Sequence, residues 1–277
     1  MMKSVIAFVG SGRRHGVTSR ATRQFLDNLE AFGDVRSEVV FLSEQHVGLC
    51  RGCKACFSRG EQFCPLRDDR DALIEKMAAS DAVVLASPVY SFQVSAHVKA
   101  FLDRLGFAFH RPRFHGKACT SLVVEGLIGG KGVVNYLDWV GFALGFNVVK
   151  GSRIVCRKNP DTGDEPMLEA ERAQMEKVLA RHARRFHETL AKPPFPEPTM
   201  LRLLAFRMAR TSIRMEQAGD RPDPTYYRDH GWFESDYYYP TKLGPLKRAA
   251  GAAFDRIAAR SSKARQFPAS GPEGRKA

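Results

Sequence analysis

Ser4-Val5-Ile6-Ala7-Phe8-Val9-Gly10-Ser11-Gly12-Arg13-Arg14-His15-Gly16-Val17-Thr18-Ser19 opens as an uncharged apolar run, Ser4 to Val9, that breaks on glycine. Six apolar or small residues in a row, β-branched or aromatic at four of them, read as a buried strand. Beyond the turn, Ala21, Phe25, Leu26 and Leu29 recur at helical spacing. A strand, a glycine-rich turn and a helix therefore follow one another. Such a turn aims backbone N–H groups and the positive end of the helix at an anion, the physical basis of a phosphate site. Ser11, Thr18 and Ser19 add hydroxyl donors, and Arg13 or Arg14 adds charge.

Two common phosphate loops do not fit. Five residues separate Gly10 from Gly16, and Val17 stands where the ATP-binding pattern needs lysine. The dinucleotide pattern needs a third glycine where His15 stands. A hydroxyl-rich loop suits a terminal phosphate monoester, such as that of FMN, better than a bridging pyrophosphate. The alternative is a tight turn without a ligand.

Outward from this stretch the same alternation repeats. Further strands are expected at 38–42 (EVVFL), 81–86 (DAVVLA), 118–124 (ACTSLVV) and 147–155. Helices are expected to open at Asp68-Asp69-Arg70-Asp71, with Leu73, Ile74 and Met77 inward, then to carry Val94, Val98, Phe101 and Leu102, then to span Tyr136 to Phe146. Five apolar strands alternating with helices predict an α/β fold with a doubly wound, five-stranded parallel sheet. In open sheets of this kind ligands collect at the carboxyl ends of the strands. There the third strand delivers Pro88, Val89, Tyr90, Ser91 and Phe92, an aromatic loop suited to covering a flat ring or to packing locally. The fourth delivers Glu125-Gly126-Leu127-Ile128-Gly129-Gly130, whose glycines let backbone approach a ligand closely.

After the second strand come Cys50, Cys53, Cys56 and Cys64, four of the six cysteines, the last followed by Pro65. The C-x2-C-x2-C run with a fourth Cys-Pro reads as an iron–sulfur site, with a longer final spacing than the ferredoxin run. A structural zinc site usually separates its ligand pairs by a longer spacer. Disulfides are disfavoured because Met1-Met2-Lys3 leads straight into a strand without a three-part signal, so a reducing cytoplasm is expected. The third alternative is that the cysteines bind nothing. Cys119 and Cys156 are expected in the core.

A chain of 277 residues with 44% hydrophobic and 26% charged residues is of ordinary globular composition, and no apolar run reaches membrane-spanning length. The net charge of +13 is uneven: 15 of 43 basic residues but only 8 of 30 acids follow residue 199. The shorter part carries the denser positive field, which favours anionic partners.

Together, Gly10-Ser11-x-Arg13-x-x-Gly16-x-Thr18-Ser19, Cys50-x-Gly52-Cys53-x-x-Cys56, Asp68-Asp69, Ser87-Pro88-Val89-Tyr90 and Ser95-Ala96-x-x-Lys99-Ala100-Phe101-Leu102-Asp103-Arg104 resemble the NAD(P)H-dependent FMN reductase-like branch of the flavodoxin fold. Within it, the four cysteines are similar to those of the iron–sulfur flavoproteins. The resemblance covers about residues 3 to 156. It implies a flavodoxin-like domain at 1–158 holding FMN, in a homodimer or larger homo-oligomer. It implies phosphate binding by Ser11, Arg13, Thr18 and Ser19, a ring flanked by Pro88 to Phe92, and a third flavin loop with Glu125, Gly126 and Gly129. It also implies a [4Fe-4S] cluster on Cys50, Cys53, Cys56 and Cys64. Electrons would run from NAD(P)H or an electron-donor protein through the cluster to FMN and on to an acceptor. Gly12 replaces a usual Pro, Val17 a usual Asn, and Glu125 a common Thr, whose carboxylate disfavours a negatively charged reduced ring. The alternatives are a cluster-free FMN or quinone reductase, and a flavin or metal sensor with a basic arm.

A helical, aromatic-rich extension is expected at 159–260 and a disordered basic tail at 261–277. Met167 to Leu190 reads as a long charged helix and 192–198 (KPPFPEP) as a stiff linker. Thr199 to Met215 is expected to group Leu201, Leu204, Met208 and Ile213. This helix is expected to pack on its own chain or a dimer mate rather than lie on a membrane surface. Tyr226, Tyr227, Trp232, Phe233 and Tyr237-Tyr238-Tyr239 form a cap or dimer arm more readily than base-stacking platforms. Nucleic acid is therefore not favoured as a partner.

Overall fold

The computed structural model describes residues 2–157, 167–215 and 221–265. They belong to two compact units, one of Met1–Cys53 with Cys64–Pro194, the other of Lys54–Phe63 with Phe195–Ala277. In chain order the first elements are β1 (Lys3–Val9), α1 (Val17–Glu30), β2 (Val35–Phe41) and α2 (Ala55–Ser58), a single turn that falls in the second unit. There follow α3 (Arg70–Ala79), β3 (Ala82–Tyr90), β4 (Gln93–Val94), α4 (Ala96–Arg104), β5 (Ala118–Glu125), α5 (Gly130–Ala143), β6 (Asn147–Val148), β7 (Ser152–Val155) and α6 (Glu169–Leu190).

The sheet order is β2-β1-β3-β5-β6, with β7 also on β5 and β4 returning antiparallel on β3. The remaining pairs are parallel. This is the flavodoxin-like doubly wound arrangement that the alternation of strands and helices predicts. The uncharged run at its centre is explained by burial on both faces. Val5, Ala7 and Val9 share a core with Phe25, Leu26 and Leu29 of α1, whereas Phe8 meets Phe101 of α4 with ring centroids 5.4 Å apart.

β2 starts three residues earlier than expected and Val94 lies on β4 rather than on a helix, and four larger differences from the sequence reading follow. The fifth strand is broken: Ala118 pairs with Asn147 but Leu122 with Ser152, so three residues, 149–151, stand opposite two of β5. This one-residue bulge is held by the Thr120 hydroxyl donating to the Val149 carbonyl at 2.8 Å and by Gly151 N–H donating to Asp138 at 3.1 Å. The helix expected from Tyr136 starts at Gly130, because Gly129 turns the chain at φ +102° and the Glu125 carboxylate accepts the Gly130 N–H at 2.6 Å. Third, α6 is no appendage: its Leu179, Ala183, Phe186 and Leu190 join the sheet core, and the first unit runs past residue 158 to Pro194. Fourth, the last helix continues to Arg265, into the expected tail; the remainder of that tail, and the composition shift at Asn159, lie outside the described residues.

The second unit contains α7 (Met200–Met215), α8 (Pro222–Asp229) and α9 (Pro245–Arg265). Its core holds Leu203, Phe206, Ile213, Tyr227, Trp232, Phe233, Tyr237, Tyr239 and Leu243. The predicted face of α7 is corrected: Leu201 is exposed, while Arg207 and Arg210 are buried. Asp255 of α9 explains this, accepting from Arg207 at 3.0 Å, from Arg210 at 2.8 Å and from the Thr211 hydroxyl at 2.8 Å. The aromatic cluster is a packed core, as in Trp232 donating to the Tyr238 carbonyl at 3.0 Å. Among the described residues no helix is long and apolar enough to cross a membrane.

Candidate functional site

At the carboxyl end of β1, the Gly10 N–H bonds the Ala86 carbonyl at 2.8 Å, and Ser95 at the start of α4 donates to the Gly10 carbonyl at 2.7 Å. A Cβ on Gly10 would lie 2.2 Å from Val98 and 2.6 Å from Ser95 Oγ, so glycine is required by this close approach. In the turn itself, Ser11 Oγ accepts the Arg13 N–H at 3.2 Å, and Ser19 Oγ donates to the Arg13 carbonyl at 2.7 Å. Ser11 and Ser19 therefore shape the loop. At the start of α1, Gly16 is extended and supplies no side-chain cap, and the first turn carries no acid. The positive end of the helix is left without a counter-charge of its own.

From the next strand, Val89 pairs with Val94 and Tyr90 with Gln93, leaving Ser91 and Phe92 as a two-residue turn at φ +48° and +63°. This sign is usually carried by Asn-Gly, so a Ser-Phe turn stores strain. Tyr90 and Phe92 are exposed at this turn. A Cβ on Gly129 would lie 3.3 Å from Phe92 and Val89, which brings the β5–α5 loop against this turn.

These loops bound one cleft within the first unit. Ser11, Arg13 and Thr18 line its polar end, and Pro88, Val89 and Tyr90 an apolar wall. Glu125 and Gly126 close it together with Cys156 and Arg157. Ser19, Ser91, Phe92 and Gly129 stand behind or beside it, not in its lining. Cys156 and Arg157 were missed by sequence reasoning, although both follow the last strand at the same sheet edge. The Glu125 side chain is fully buried, and Arg153 Nη1 lies 3.1 Å from its Oε1, close in charge but not aligned as a hydrogen bond.

No cysteine forms a disulfide; Cys50 and Cys53 are exposed and Cys56 and Cys64 half-buried. Gly52 and Lys54 turn the run through positive φ. Among the described residues no three His, Cys, Asp or Glu side chains converge as a metal centre. Cys64 Sγ accepts a hydrogen bond from Arg104 Nη2 at 3.5 Å. Cys119 is in the core as expected, where burial pushes its thiol up.

Residues 3–160 match the family described as NADPH-dependent FMN reductase. An iron-sulfur flavoprotein of Archaeoglobus fulgidus is 37% identical over 179 residues, covering 61% of this chain and 76% of the relative. One from Methanosarcina thermophila is 35% identical over 109 residues, 38% of this chain and 56% of the relative, little more than half its length. Among solved structures, RosB with the bound intermediate 8-demethyl-8-formylriboflavin-5'-phosphate superposes with a TM-score of 0.54 at 14% identity, over 88% of this chain and 92% of that one. That likeness concerns the fold.

Proposed function

Because the chain belongs to the NADPH-dependent FMN reductase family and is a flavin-dependent oxidoreductase of it, we propose that FMN lies in the cleft of the first unit, its phosphate at the amino end of α1. The carrying observation is the cleft itself, with an uncapped helix end, Arg13 and Thr18 at one side and Pro88, Val89 and Tyr90 at the other. That division suits a ligand with a dianionic end and a flat apolar body. When bound, the flavin supplies the electron exchange. In this reading Arg13 and Thr18 hold the phosphate, Ser11 and Ser19 hold the loop that presents them, and Tyr90 flanks the ring. Glu125, placed by the Gly130 N–H, disfavours negative charge nearby.

Cys50, Cys53, Cys56 and Cys64 would hold a [4Fe-4S] cluster that relays electrons to the flavin. The donor set is soft, and the relatives' names support the reading. The donor is NAD(P)H or an electron-carrier protein, and the assembly a homodimer or larger homo-oligomer, as the family resemblance implies. A second reading, an FMN reductase without a cluster, is favoured by the lack of three converging donors among the described residues. The sensor reading loses support because Arg207 and Arg210 of the basic arm are committed to Asp255.

Absorbance of anaerobically purified protein separates these. A flavin band with a broad visible shoulder that bleaches on reduction is expected; flavin alone leaves the second reading, and neither sinks both. The Ser11→Ala/Thr18→Ala double variant is expected to weaken FMN binding about tenfold or more, as loss of one or two hydrogen bonds near a charged group predicts. Unaltered affinity contradicts the phosphate assignment. Cys53→Ser is expected to lose iron and keep FMN.

A further inference from the structure

The rim of the cleft extends beyond the residues that line it. The β5–α5 loop touches three neighbours through its glycines: a Cβ on Gly126 would lie 3.7 Å from the Cys156 carbonyl, one on Gly129 3.3 Å from Phe92, and one on Gly130 3.0 Å from Arg153 Cγ. Between these contacts the loop carries Leu127 and Ile128 out into solvent, and both, like Phe92, are more than half exposed. On the other flank Ile154 and, just past β7, Cys156 enter the core, so Arg153 and Arg157 share the opposite side of the chain. Their side chains are 54% and 69% exposed, and each has a buried acid behind it, Glu125 for Arg153 and Glu171, 3.8 Å away, for Arg157. Those acids take their hydrogen bonds from the backbone, Glu125 from the Gly130 N–H at 2.6 Å and Glu171 from the Arg157 N–H at 3.2 Å. Among the described residues neither guanidinium donates a hydrogen bond, so two forks are held in place by charge with their donors unspent.

We propose that this rim binds an apolar organic anion, its body on Phe92, Leu127 and Ile128 and its oxyanion on Arg153 and Arg157, and that this anion is the substrate that meets the flavin. Calling it a substrate rests on the flavin reading above; the binding does not. Exposed apolar side chains gathered at the mouth of a cleft mark a binding place, but by themselves they would accept any apolar molecule. The arginines supply the sign, and a guanidinium fork matches the paired oxygens of a carboxylate or a phosphate. Seen from outside that sign is positive, because both acids lie buried behind the arginine heads. The place is distinct from the phosphate loop. β1 and β7 are three strand spacings apart, across β3 and β5, which at about 4.8 Å per strand separates the two ends by about 14 Å. Arg13 and Arg157 therefore serve different anions at opposite ends of one cleft.

The test uses the full chain as purified, with FMN per chain read from its visible absorbance. Equilibrium dialysis gives the Kd of 2-naphthoate, of 2-naphthyl phosphate and of the uncharged 2-naphthamide for wild type, Arg153→Gln, Arg157→Gln and Ile128→Ser. Wild type is expected to bind the anions more tightly than the amide, and the tighter of the two anions names the head group. Each arginine substitution is expected to weaken the anions about three- to fivefold, the range of an exposed ion pair, and to leave the amide unchanged, which also shows that the variant is folded. Ile128→Ser is expected to weaken all three ligands. Equal affinities of anions and amide in wild type, or arginine variants that move the amide as much as the anions, overturn the proposal. So does wild type that binds none of the three; if Ile128→Ser then turns a dimer into a monomer in sedimentation, a second copy of the chain covers the rim. A chain that binds the anions but holds no FMN overturns the flavin reading and leaves the binding place standing.

Discussion

His182 of α6 is buried beside Phe25, with Nε2 2.7 Å from Thr120 Oγ1. The Thr120 hydroxyl donates to the Val149 carbonyl, so the assigned tautomer has Nε2–H donating to Thr120. Nδ1 is buried with no hydrogen-bond partner. Burial first, and then the charge of Arg185, lower its pKa to about 3. Below about pH 6.5 the unfolded chain takes a proton that the folded chain refuses. His182 therefore contributes stability above that pH and loses it as pH falls toward about 3, with a slope of at most about 1.4 kcal/mol per pH unit. His182→Gln is expected to flatten the pH dependence of urea midpoints between about pH 6 and 4; an unchanged slope contradicts it. The sequence showed a histidine on a charged helix, and its burial depends on Thr120, sixty-two positions away.

At the scale of elements, what the sequence showed was set by short-range pattern. The uncharged strand at 4–9, the glycine turn and the aromatic loop after the third strand were all legible, because periodicity and turn chemistry act within a few residues. The bulge at 149–151 was not, since it exists only against the register of β5. Nor was the face of α7, because Asp255, the partner that lets two arginines turn inward, lies 45 residues beyond Arg210. Of the candidate site, the loops were legible, and the lining by Cys156 and Arg157 was not. Gly151→Ala probes the bulge directly: its Cβ would lie 1.9 Å from Ser121 Oγ and 2.8 Å from the Ser121 carbonyl. Overpacking of that kind predicts a loss of about 3 kcal/mol in denaturant unfolding, with a lower thermal midpoint. A shift below about 0.5 kcal/mol would mean that the strand relaxes around the methyl group.

For the whole molecule, two cores mean two separate vulnerabilities. Asp255 holds Arg207 and Arg210 together from a partly exposed position. Asp255→Ala leaves two buried guanidinium groups without it, at a cost of about 2–3 kcal/mol once solvent exposure is allowed for. The expected outcome is faster proteolysis within 195–265 with FMN retention unchanged; an unchanged proteolysis rate contradicts it. The strand break at 149–151 has a further consequence for the cleft. A strand alternates its side chains with a period of two, so one added residue acts as a phase shift. It decides that Ile154 of β7 turns into the core and Arg153 toward Glu125, rather than the reverse. Deleting the exposed Lys150 would keep every residue of β7 and exchange its core-facing side chains for its outward ones. The charge set beside Glu125 at the edge of the cleft is thus fixed by the parity of a three-residue interruption.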